Sequence, residues 1–128
     1  MPRVLIVDDE PSTRFLIGEG LADHGIEFDE AGNGEEALAL MDKSAEDYQP
    51  YDAVVLDIVM PVMDGWEVLK HIKGNPLWAD LIVIVVTGYA ITAEEVATVS
   101  GYDGVFIEKR GNFARLLDSL LARLLTDE

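Results

Sequence analysis

Short apolar runs rich in β-branched residues recur along this chain with helical stretches between them, and that alternation limits its fold more than any other feature. The runs lie at Val4–Val7, Ala53–Leu56, Leu81–Val86 and Val105–Ile107. Each is apolar at consecutive positions, as strands covered on both faces are. A fifth segment, Ile26–Glu30, alternates apolar and acidic residues and reads as an edge strand. Helical periodicity fills the gaps. Ser12 or Thr13 would cap a helix running to about His24 and stopped by Gly25. Asn33 precedes a second helix, Gly34–Met41, whose first turn carries Glu35 and Glu36, where the helix dipole favours acids. Gly65–Lys73 is a third, closed by Gly74-Asn75-Pro76. Ala93–Ser100 is a short fourth, and Asn112–Leu125 is the longest.

Five strands alternating with five helices predict an α/β fold: a parallel, doubly wound sheet with helices on both faces. The 128 residues are expected to form one domain, 1–128. A closed barrel of such units needs roughly 250 residues. Open sheets of this kind bind ligands at the carboxyl ends of their strands, beside the point where strand order reverses.

Nine Lys and Arg face 25 Asp and Glu, a formal net charge of −16. Nucleic-acid phosphates and anionic membranes repel such a chain, so neither is expected as a partner. No apolar run has the roughly 18 residues of a membrane span. Met1-Pro2-Arg3 leads straight into Val4 and then Asp8-Asp9, unlike a signal peptide, so a cytoplasmic location is expected. The lack of cysteine excludes disulfides, thiolate metal sites and a thiol nucleophile.

The strand ends carry the chemistry. The first ends in Asp8-Asp9-Glu10, the third in Asp57 and the fourth in Thr87, and Lys109 follows the fifth. With strands one and three side by side, three aspartates converge and repel one another unless a cation intervenes. Oxygen ligands suit Mg²⁺, which keeps several waters, and Mn²⁺ equally. A hydroxyl and an ammonium beside such a cation suit a phosphoryl group. Asp57 is then a metal ligand only, or also a carboxylate nucleophile that forms an acyl phosphate.

These residues resemble a known family, the response regulator receiver domain of two-component signalling. The clearest stretch is Asp57-Ile58-Val59-Met60-Pro61-Val62-Met63-Asp64-Gly65, which matches the pattern D-x-x-M-P-x-M-D-G. Val7-Asp8-Asp9-Glu10-Pro11 with Arg14, Ala31–Leu38, Val85-Val86-Thr87-Gly88 and Lys109 complete the likeness across nearly the whole chain. The resemblance implies a flavodoxin-like sheet of strand order 2-1-3-4-5. It implies that Asp57 accepts a phosphoryl group from a histidine kinase or a histidine phosphotransfer protein. Asp8, Asp9, Asp57 and the backbone carbonyl of Val59 would hold Mg²⁺. Lys109 and Thr87 would contact phosphoryl oxygens, and Thr87 with Phe106 would switch position to alter contacts with a downstream protein. It further implies a phosphoacceptor that assists its own phosphorylation and dephosphorylation rather than a conventional enzyme.

The sequence departs from the family pattern at three places. Arg110-Gly111 replaces the usual proline after Lys109, the switch aromatic Phe106 lacks a hydroxyl, and the connection Lys43–Asp52 is long. Val59 and Tyr89 occupy positions that gate the site in the family. Neither has a carboxylate or amide to orient a hydrolytic water, which predicts slow self-dephosphorylation. Phe15 falls away from Leu16, Ile17, Leu21 and His24 on the first helix and offers a docking surface for a phosphodonor. Leu116 to Leu125 give the last helix an apolar face wider than one buried stripe, which would serve a partner or a phosphorylation-dependent homodimer. His24 and His71 stand alone and read as helix-surface residues.

The leading expectation is a stand-alone receiver. The alternatives are a receiver-like module that binds partners without phosphorylation, and a receiver excised from a hybrid kinase or longer regulator. A phosphatase with an aspartate nucleophile would need a general acid where Val59 stands, and a flavin-binding domain would need a phosphate loop after the first strand.

Overall fold

In the computed structural model, the described residues are 2–58, 60, 63–78, 80–87, 92–101, 105–108, 118, 121–122 and 124, with backbone alone at 87, 96, 99–101 and 105–108. The elements run β1 (Arg3–Val7), α1 (Pro11–Ala22), β2 (Glu27–Ala31), α2 (Gly34–Glu46), β3 (Ala53–Asp57), α3 (Gly65–Lys73), a 3₁₀ turn (Pro76–Trp78), β4 (Ile82–Thr87), α4 (Ala93–Gly101) and β5 (Val105–Glu108). All strand pairs are parallel. Their order is β2-β1-β3-β4-β5, as expected. Four α-helices lie within the described residues; of the expected fifth, Asp118, Leu121, Ala122 and Leu124 have helical backbone.

Consecutive apolar residues in the strands serve two cores, because side chains alternate between the faces of a sheet. Leu5, Val7, Val54, Leu56, Val83 and Val85 pack on Ala37 and Met41 of α2 and on Val68, Leu69 and Ile72 of α3. Val4, Ile6, Ala53, Val55, Ile84 and Val86 pack on Ile17 and Leu21 of α1 and on Leu124. Burying each of the larger side chains contributes about 1.5–3 kcal/mol. β2 is one of the two edge strands, and its Glu27, Asp29 and Glu30 discourage pairing with another chain.

Three sequence expectations need correction. Ser12 and Thr13 do not cap α1: Glu10 is the N-cap, without a side-chain cap bond, and Pro11 opens the helix. Proline fits there because its φ is already helical and the first N–H has no partner within the helix. The helix ends at Ala22, and Gly25 turns the chain at a φ of 69°. Leu16 does not join the buried stripe, which is Thr13, Ile17, Gly18 and Leu21; Leu16 is exposed beside Phe15. The third concerns 43–52, which is only partly a connection, since α2 continues to Glu46. There Gln49 N–H donates to Ser44 O (2.9 Å) and Tyr48 N–H to Ala45 O (3.3 Å), a Schellman closure with Tyr48 at a φ of 56°.

The N-terminal end of the sheet is tied by Arg3. Its guanidinium pairs with Asp29 (3.0 Å), bonds Gln49 O and lies 4.8 Å from the Tyr51 ring centroid. Tyr51 O–H donates to Asp29 Oδ2 (2.5 Å). Burial, then the Asp29 carboxylate, pushes the Tyr51 hydroxyl pKa well above its ordinary value.

Candidate functional site

The strand register brings Asp8, Asp57 and Thr87 to the same end of the sheet. Val7 and Leu56 are partners across β1 and β3, and Asp8 and Asp57 come next on each strand. Asp57 is partnered by Val86 on β4, so Thr87 is one step further along. Thr87 is in turn the partner of Glu108, the residue before Lys109. Asp8 and Asp57 are both buried, at 3% and 4% exposure, and Asp9 and Glu10 are exposed.

The turn after β1 is shaped by its own backbone. Asp8 N–H donates to Ala31 O (3.1 Å), and Asp8 Oδ1 accepts from Glu10 N–H (2.9 Å). An aspartate bonding the backbone two residues on is a common turn former. One carboxylate oxygen from each of Asp8, Asp9 and Glu10 lies within 4.8 Å of the other two. Asp57 lies outside that group. An all-oxygen donor set of this kind suits Mg²⁺ or Mn²⁺ and not a thiophilic metal. Glu10 is a carboxylate with no role expected from the sequence, where its place beside Asp8-Asp9 is the available signal.

The turn after β3 is set by Gly65. Its N–H donates to Ile58 O (2.9 Å), and a Cβ there would sit 2.3 Å from Asp57 O and 2.7 Å from Ile58 Cα. Glycine therefore lets the start of α3 lie directly against the backbone of Asp57. Asp64 caps that helix, accepting from Glu67 N–H (3.0 Å). Thr92 and Glu95 form a reciprocal capping box at the start of α4, at 2.9 and 3.1 Å.

Phe15 is 63% exposed on α1, as expected. His71 is exposed on α3, as expected; His24 is exposed too, but in the turn after α1, which ends at Ala22. Phe106 lies on β5, the partner of Val85, with backbone alone described. Val59, Tyr89, Lys109, Leu116 and Leu125 lie outside the described residues, as do Arg110 and Gly111. In the last segment Leu124 is buried and Leu121 half-buried against the α1 side of the sheet. A groove of about 490 Å³ lined by Tyr51, Trp78, Leu81 and Leu124 lies at the opposite end of the strands from the carboxylates. No helix among the described residues is long and apolar enough to cross a membrane.

The acids thus stand at the carboxyl ends of the first and third strands, where open parallel sheets bind their ligands. The chain belongs to the response regulator receiver domain family of two-component signalling, whose model matches residues 4–121. Among its relatives is the transcriptional regulatory protein TcrA of Mycobacterium tuberculosis, 33% identical over 122 residues. That alignment covers 95% of this chain but 44% of TcrA, so the chain spans less than half of that relative's length. Among solved structures, the chemotaxis protein CheY4 of Vibrio cholerae is 29% identical with a TM-score of 0.80, over 94% of this chain and 96% of that one. The response regulator TrrA of Thermotoga maritima, solved in complex with Mg²⁺-BeF, is 36% identical with a TM-score of 0.73, also over 94% and 96%.

Proposed function

We propose that this chain is a signalling switch that accepts a phosphoryl group on Asp57 from a histidine kinase or histidine phosphotransfer protein. The observation that carries this reading is the register: buried Asp57 and Asp8 follow partnered residues on adjacent strands, beside the acid turn. One oxygen of Asp57 attacks the phosphorus of a phosphohistidine. The P–O bond forms as the P–N bond breaks, and the imidazole nitrogen leaves with the electron pair and takes up a proton. Asp8, Asp9, Asp57 and the Val59 carbonyl would hold Mg²⁺, with Glu10 alongside. When bound, the cation supplies charge neutralisation for the phosphoryl oxygens. Mn²⁺ suits the same oxygens.

In this reading Lys109 pairs with a phosphoryl oxygen and Thr87 donates a hydrogen bond to another. The movement of Thr87 and Phe106 then alters the surface offered to a downstream protein. Exposed Phe15, with Leu16 beside it, offers the phosphodonor an apolar contact next to the acid turn. The net charge of −16 disfavours direct binding to nucleic acid or anionic membrane. A cytoplasmic location belongs to the same reading.

The test is intact-mass analysis after incubation with acetyl phosphate, with and without Mg²⁺. Wild type gains one phosphoryl mass only with Mg²⁺, and Asp57→Ala gains none. Wild type that stays unmodified, even with a purified phosphohistidine donor, overturns the proposal in favour of a module that binds without phosphorylation.

A further inference from the structure

Arg14 joins the acid turn to the edge of the sheet. Its side chain is only 19% exposed. Nη1 donates to the backbone carbonyl of Asp8 (2.5 Å), and Nε donates to Glu30 Oε1 (3.0 Å). A Cβ on Gly32 would lie 3.6 Å from the same Nη1. One planar group thus spans from the β1–α1 turn to the end of β2. Its charge alone would oppose a cation bound at this turn, so any benefit to binding comes from geometry. Three carboxylates on consecutive residues repel one another, and gathering them around an ion costs less if the backbone carrying them is already fixed.

We infer that Arg14 is a positioning residue that holds the Asp8–Glu10 turn in the shape its carboxylates need to share one divalent cation. The inference rests on the cation reading under Proposed function. In this role Arg14 acts through the backbone carbonyl of Asp8 and not as a ligand.

Lysine keeps the charge but not the fork, so Arg14→Lys separates the two effects. The measurement is Mn²⁺ binding followed by electron paramagnetic resonance of the free ion, with melting curves alongside. Arg14→Lys is expected to weaken Mn²⁺ binding about tenfold, in the range found when outer-shell partners of metal ligands are removed. Glu30→Gln, which keeps Arg14 and loosens its anchor, is expected to weaken it too, by a smaller factor. Lysine binding as tightly as arginine, with Arg14→Met binding more tightly, means that Arg14 acts through charge alone and overturns the inference. Should Arg14→Lys fail to fold, Glu30→Gln decides, and unchanged affinity there overturns it equally. Wild type that binds no Mn²⁺ refutes the cation reading itself, and the inference falls with it.

Discussion

Replacing Gly65 by alanine adds one methyl group where the structure has no room for it. The added Cβ would lie 2.3 Å from Asp57 O, 2.7 Å from Ile58 Cα and 3.0 Å from Asp57 C, all backbone atoms that no side-chain rotation moves away. Relief requires the start of α3 to retreat from β3 by roughly 1 Å in a close-packed interior. That movement stretches the Gly65 N–H bond to Ile58 O, 2.9 Å long, and drags buried Val68, Leu69 and Ile72 with it. Overpacking costs about 1–3 kcal/mol and the weakened hydrogen bond about 1 more. Gly65→Ala is therefore expected to lose about 3 kcal/mol, a fall in Tm of roughly 10 °C. It should also slow phosphoryl uptake, because the displaced backbone carries Asp57. Gly32→Ala is the internal control. Its Cβ would meet Glu36 Oε1 at 3.4 Å and Arg14 Nη1 at 3.6 Å, ordinary contacts. With no positive φ at Gly32, alanine there should stabilise by about 0.4–1 kcal/mol through the unfolded chain. Urea unfolding of both variants reads the two signs. A Gly65→Ala loss below about 1 kcal/mol would refute the argument that backbone contact sets the β3–α3 turn.

Three further outcomes are expected. Tyr48 is 92% exposed and sits in the left-handed region, so Tyr48→Gly removes strain without uncovering a core and should stabilise by about 0.5–1 kcal/mol, measured by thermal melting. The raised Tyr51 pKa means that the unfolded chain releases this proton near pH 10 while the folded chain still holds it. Stability from that difference is present below about pH 10 and lost as pH rises further, so the advantage of wild type over Tyr51→Phe should shrink between pH 9 and 11 in urea titrations. Val59→Asn supplies an amide near the phosphoacceptor and should speed loss of phosphate from the protein; equal decay in both forms would remove Val59 from that role.

The sheet was readable because β-branched runs doubly covered by helices look alike in most parallel folds, and the acids at their ends stand out against such runs. What escaped notice depended on contacts far apart in sequence. Spacing groups Leu16 with Ile17 and Leu21, but Thr13 and Gly18 complete the buried face with those two, and the Phe28 ring lies where a Cβ on Gly18 would be. The end of α2 was hidden because Tyr48, not glycine, closes it. Ser12 and Thr13 are good capping residues, but Pro11 before them already occupies the first helical position. The aspartates at 8, 9 and 57 could be placed from strand ends alone. Arg14 could not, since its bond to Asp8 O needs both the true start of α1 and the pairing of β1 with β2.

The central claim is that Asp57, and not another acid at this edge, becomes the acyl phosphate. Borohydride reduces an aspartyl acyl phosphate to homoserine, which peptide mass analysis can locate. After treatment with acetyl phosphate and Mg²⁺, homoserine is expected at position 57 alone. Homoserine at position 8 or 9, or a phosphoryl mass gain with no reducible residue anywhere, would contradict it.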